Sequence, residues 1–243
     1  MVAEEQYWRD QESARFDPEV ELFQRYRAAE DSLTTKIFLY FGHEIPEIGG
    51  TGYDASSPER SFNIADLSDA LGRMTKDCRK FDIVILSSCF GGTPFTIAAI
   101  APYTRTIIAS PDNLHLSYLD LHQFEYLGIR SRPTDLHTFA KNYSRQAFLS
   151  LTAKVQTAVT LAVYDVDLIQ KYIDSVDSLY SHTLAELSGE LPGSIEFYDC
   201  TENSAYILPG MSEGVYVYYR PARFGRTKNN PYHSGWECCR TTQ

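Results

Sequence analysis

Two kinds of apolar pattern alternate along this chain. The first is the short unbroken run: "KIFLYFGHE" up to Gly42, then "FDIVILSS", "RTIIAS" and "AVTLAVYD", each of a length and β-branched content that predicts a buried strand. The second is the amphipathic stretch. In "NIADLSDALGRMTKDCRK", Ile64, Leu67, Leu71, Met74 and Cys78 recur at steps of three and four. This predicts a helix N-capped by Asn63, with Cys78 as the last core residue of its stripe. "TPFTIAAIAPY" predicts a helix opening at Thr93 with Pro94 in its first turn. "TDLHTFAKNYSRQAFLSL" predicts one capped near Thr134, and "VDLIQKYIDSVDSLYSHTLAEL" one with Val166, Ile169, Ile173, Val176 and Tyr180 on one side. Buried strands alternating with amphipathic helices imply an α/β fold of βαβ units, its parallel sheet covered by helices on both faces.

Ahead of this series, residues 1–35 are polar and helical in pattern, with Phe16, Val20, Phe23 and Tyr26 in helical spacing. "EIPEIGGTGYDASSPERS" is a long loop rich in Gly, Pro and Ser, a length that in compact domains usually signals function or cleavage. After residue 190, "SIEFYDC" through "VYVYYRP" has β character, and "FGRTKNNPYHSGWECC" reads as loop. No repeat or domain boundary stands out. The expected organisation is one domain, an N-terminal helical segment (1–35) leading into the main unit (36–243).

Charge narrows the function classes. Thirty-two acidic against 22 basic residues give a net charge of -10, which disfavours nucleic acid as a partner because phosphate neutralisation dominates that affinity. No apolar run approaches the roughly 20 residues of a membrane helix, so no membrane span is expected. The charged N-terminus is no secretory signal, which points to a cytoplasmic protein or to an exported one whose signal has been removed. The five cysteines (Cys78, Cys89, Cys200, Cys238 and Cys239) are odd in number and form no CxxC pair. The histidines likewise show no ligand spacing, so neither a metal nor another cofactor is expected.

In parallel α/β sheets, reactive groups collect at the carboxyl ends of the strands. Here those ends deliver His43 after "KIFLYFG", Cys89 after "DIVILSS", and Ser110 with Asp112 after "RTIIAS". A cysteine and a histidine at one rim are the minimum parts of a thiol nucleophile with its acid–base partner. Taken singly, each is as readily a packing or hydrogen-bonded residue. The "FGGTP" after Cys89 brings its sulfur toward backbone N–H groups and a helix N-terminus, which favour thiolate. Gly91 and Gly92 are expected to permit a tight turn and the approach of a substrate backbone. The N–H of Cys89 itself is a candidate oxyanion donor.

With these residues in place, the sequence resembles caspase-like cysteine peptidases and is most similar to the clostripain family. The resemblance covers roughly residues 36–190. It is carried by "IFLYFGH", "FDIVILSSCF", "GGTPFTIAAIAPYTRTIIASPD" and "AVTLAVYDVDLIQKYIDSVDSL", in that order. It implies a caspase-like α/β/α sandwich with a mostly parallel central sheet, residues 36–243 forming the peptidase domain. It also implies a Cys–His dyad endopeptidase acting on peptide or protein substrates, with His43 as the histidine and Cys89 as the nucleophile. Many members of that family cut themselves in the loop between the two, and Arg60 in "SSPERSFN" is the corresponding candidate site here.

Three departures accompany the likeness. The family's His-Gly is His43-Glu44, so the second oxyanion donor falls to the N–H of Glu44. The family's aspartate two residues before the nucleophile is Ser87. A preference for a basic substrate residue would then rest on Asp112 or Asp120, while serines would suit a small or neutral one. Two strands normally precede the histidine strand, whereas residues 1–35 look helical, which leaves room for a further chain or subunit completing the sheet. An inactive caspase-like binding or scaffold module is the alternative reading. A third, an α/β hydrolase or nucleotide-binding domain, lacks GxSxG, Walker A and GxGxxG motifs.

Overall fold

The computed structural model describes residues 16–27, 35–47, 62–114, 124, 127, 136–171, 173–174, 214–220 and 222–223. They form β1 (Ile37–Phe41), β2 (Phe81–Ser87), β3 (Thr104–Ala109), β4 (Val159–Asp165) and β5 (Val215–Arg220), ordered β1-β2-β3-β4-β5 in one sheet. The helices are α1 (Asp17–Tyr26), α2 (Ile64–Thr75), α3 (Pro94–Ile100) and α4 (Leu136–Lys154), with a further helix starting at 166 directly after β4.

The period of two along each strand sorts side chains into two layers. Val84, Leu86, Ile107, Ala109, Ala162 and Tyr164 pack with residues of α1, α2 and α3, among them Val20, Leu67, Leu71 and Ile97. Ile83, Ile85, Ile108 and Val163 face the other way, onto Ala140 and Tyr143 of α4. Every residue of β2 is buried, as expected of a central strand covered on both faces. This is the expected three-layer α/β/α arrangement. The N-terminal helix joins the same core: Phe16 meets Phe62 edge-on, and Asp17 pairs with Arg73 of α2 at 2.6 Å.

β1, β2 and β3 pair in parallel, whereas β4 is antiparallel to both β3 and β5. The sheet is thus mostly parallel in direction, with β4 as the reversed strand. Only four residues separate α4 from β4, so the helix delivers the chain to the rim at which β3 ends, and β4 must run back from it. Arg220 donates to the carbonyls of Val155 and Thr157, and Arg223 to that of Thr152, which satisfies groups exposed at the end of α4.

Local signals explain the helix starts. The Asn63 side chain accepts from the N–H groups of Ala65 and Asp66 while Asp66 accepts from the N–H of Asn63, a complete capping box. Cys78 departs from its expected place. It lies beyond the end of α2, half-buried, its thiol donating to the Met74 carbonyl and accepting from Lys36 Nζ at 3.0 Å each. The helix stops at Thr75, so the apolar stripe ends one turn before Cys78. Beside it Asp82, almost fully buried, receives the Lys36 N–H and both contacts from Arg79, pinning the start of β2 to the segment before β1. No described helix is long and apolar enough to cross a membrane.

Candidate active site

The β1–β2 ladder sets this rim. Its register pairs Ile37 with Ile83 and Phe41 with Ser87, and the Gly42 N–H still donates to the Ser87 carbonyl beyond the last strand pair. Two residues beyond the end of each strand stand His43 and Cys89, at the same offset. Leu86 pairs with Ala109 in the β2–β3 ladder, and the Phe90 N–H donates to the Asp112 carbonyl. His43, Cys89 and Asp112 therefore follow adjacent parallel strands at one edge.

Each loop is fastened separately. The Tyr40 hydroxyl donates to the His43 carbonyl at 3.1 Å. Gly42 makes this fit possible, since a Cβ there would lie 2.7 Å from that hydroxyl. His43 is exposed and Cys89 half-buried. The sulfur of Cys89 accepts the Leu114 N–H at 3.3 Å, and its thiol faces the Leu114 carbonyl at 3.5 Å. The N–H that reaches the sulfur thus comes from the loop after β3, rather than from the first turn of α3 as the sequence suggested. The cap of α3 is Thr93, whose hydroxyl accepts the Thr96 N–H.

The turn after Cys89 also differs from expectation. Its left-handed residue is Phe90 (φ 51°), a conformation that costs a side-chain-bearing residue roughly 1–2 kcal/mol. Gly92 serves close packing instead. A Cβ there would sit 2.8 Å from backbone atoms of Ser110 and Pro111 and 2.7 Å from the Tyr164 hydroxyl, so the approach it allows is of the protein's own backbone. The Gly92 N–H donates to the Ser110 carbonyl at 2.7 Å, and the buried Tyr164 hydroxyl donates to the Gly92 carbonyl at 2.9 Å.

Acidic groups crowd the histidine loop. Burial, reinforced by the charge of Glu47, pushes the Glu44 carboxyl up to about 7. Burial also raises Glu47, opposed by a hydrogen bond from the Thr93 hydroxyl. That bond ties the loop after His43 to the helix after Cys89.

The other predicted residues divide. Ser87 is almost fully buried and lines a small cavity under the rim. Ser110 is fully buried, and its hydroxyl both donates to the Asp112 carbonyl and accepts the Asp112 N–H, so it shapes the loop. The Asp112 carboxylate accepts the Asn113 N–H at 2.7 Å. Asp120 and Arg60 lie outside the described residues. The grip of Leu114 on the sulfur is a backbone contact and leaves no trace in a sequence. The Glu47–Thr93 bond leaves one trace in the sequence, since those residues share the offset of His43 and Cys89.

A model of the clostripain family, Peptidase_C11, matches residues 40–233. Among solved structures, an inactive zymogen C11 protease from Parabacteroides distasonis is 16% identical, with TM-score 0.47 over 72% of this chain and 46% of that one. A secreted C11 cysteine protease from Bacteroides thetaiotaomicron, in complex with an irreversible peptide inhibitor, is 14% identical, with TM-score 0.49 over 65% of this chain and 46% of that one. The chain thus spans less than half the length of either. No curated protein matches it.

Proposed function

This chain belongs to the clostripain family, and on that premise we propose that it is a cysteine endopeptidase whose dyad is His43 and Cys89. The observation that carries the assignment is the shared offset of the two residues beyond paired parallel strands. In the proposed cycle, the Cys89 thiol leaves the Leu114 carbonyl and gives its proton to His43, and the thiolate attacks the carbonyl carbon of a peptide bond. The N–H groups of Cys89 and Glu44 face the oxygen that gains charge. His43 gives a proton to the departing amine, and water then hydrolyses the thioester, releasing the acid and restoring the thiol. Substrates are peptides or proteins. Self-processing near Arg60, in the loop between the two residues of the dyad, is part of the same proposal.

Wild-type protein, Cys89→Ala and His43→Ala should be compared on a fluorogenic peptide library, with intact masses followed during incubation. Cys89→Ala is expected to abolish hydrolysis and any self-cleavage near Arg60. His43→Ala should lower turnover by about 100-fold or more. Undiminished hydrolysis in Cys89→Ala would overturn the assignment. A Cys89 thiol inert to iodoacetamide in a protein without hydrolytic activity would favour the non-catalytic binding module.

A further inference from the structure

A cavity of about 20 Å³ lies between the sheet and α4, lined by Ile85, Ser87, Ile108, Leu114, Ser144 and Leu161 among others. It sits close to the sulfur for two independent reasons. Ser87 stands two residues before Cys89 and belongs to the set of β2 positions that face α4. Leu114 lines the cavity while its backbone N–H and carbonyl hold the Cys89 sulfur.

The chemistry of the lining is restrictive. Its side chains are aliphatic apart from Tyr143 and two serines, and none carries a charge. Ser144 is fully buried, and its hydroxyl has no hydrogen-bond partner among the described residues. A buried hydroxyl left unpaired is costly, so this wall suits a small guest that is polar or carries a water with it. The volume matches one water molecule or a methyl group. A lysine, arginine or carboxylate entering here would lose its hydration and meet no counter-charge.

Resting on the peptidase reading, we propose that this cavity receives the side chain on the acyl side of the cut bond. It selects a small uncharged residue, alanine or serine, with Ser87 and Ser144 as specificity-determining hydroxyls. Ser144 comes from a helix with no motif of its own and reaches the site only through packing.

The test is a peptide library varied at the residue before the cut, assayed with wild-type, Ser144→Leu and Cys89→Ala proteins. Wild-type protein should cleave after alanine or serine at least about 100-fold faster than after lysine or arginine. Ser144→Leu, which fills the cavity, should lower cleavage after alanine by about tenfold relative to glycine. Thermal melting checks that the variant is folded. If it is not, the wild-type profile decides alone. Cys89-dependent cleavage after basic or bulky residues would overturn the pocket and leave the peptidase reading standing, as would an unchanged profile in folded Ser144→Leu. No Cys89-dependent cleavage of any peptide would overturn both.

Discussion

Glu47 accepts a hydrogen bond from Thr93, and the two stand 46 positions apart, the offset at which Ile37 pairs with Ile83 in the β1–β2 ladder. The parallel pairing of these strands is in effect continued by side chains after the backbone ladder ends. Between the strand ends and this bond lie His43 on the segment after β1 and Cys89 on the segment after β2. Their separation is therefore held from both sides.

Thr93→Val should expose that coupling. It removes the cap of α3, worth about 1 kcal/mol, and strips Glu47 of its donor, which costs roughly 1–3 kcal/mol more. Urea unfolding should report a loss of about 2–4 kcal/mol in all. If the bond positions the proposed dyad, kcat falls by about tenfold with little change in KM, and Thr93→Ser restores both stability and kcat. Equal loss of activity in Thr93→Ser would argue against this role.

Glu44 makes stability depend on pH in a definite direction. Its carboxyl is raised from 4.5 to about 7 by burial and by Glu47, so between those values the folded protein holds a proton that the unfolded chain has released. Stability therefore falls as pH rises through this window, and the penalty is complete above about 7. Glu44→Gln should lose that fall. Its melting temperature is expected to gain on the wild type between pH 5 and pH 8, and parallel melting curves across the window would count against burial as the cause.

Gly92 and Tyr164 fix the turn that carries Cys89. Tyr164→Phe leaves the Gly92 carbonyl without this donor and should cost about 1–2 kcal/mol on denaturation. Gly92→Ala should be worse, since the added Cβ meets backbone atoms at 2.8 Å that no side-chain rotation can move. Turnover should drop further in Gly92→Ala than in Tyr164→Phe. The reverse order would mean that the hydroxyl, and not the close approach, holds the turn.

How much of this was legible follows from which forces are local. A strand's apolar run and a helix's three-and-four spacing are written residue by residue, so the elements from α2 to β4, and the cap at Asn63, follow from pattern. Parallel strands end at one rim, so "IFLYFGH" and "DIVILSSC" already placed His43 and Cys89 together. Cys78 misled because periodicity does not say where a helix stops.

Contacts between distant segments decided the rest. The direction of β4 depends on which rim α4 returns to, the hold on the Cys89 sulfur comes from the backbone of Leu114, and Ser144 reaches the cavity through helix–sheet packing. A backbone N–H is the same in every residue but proline, and a buried serine resembles an exposed one in the letters of a chain. Only folding gives such groups their neighbours, and with them their chemistry.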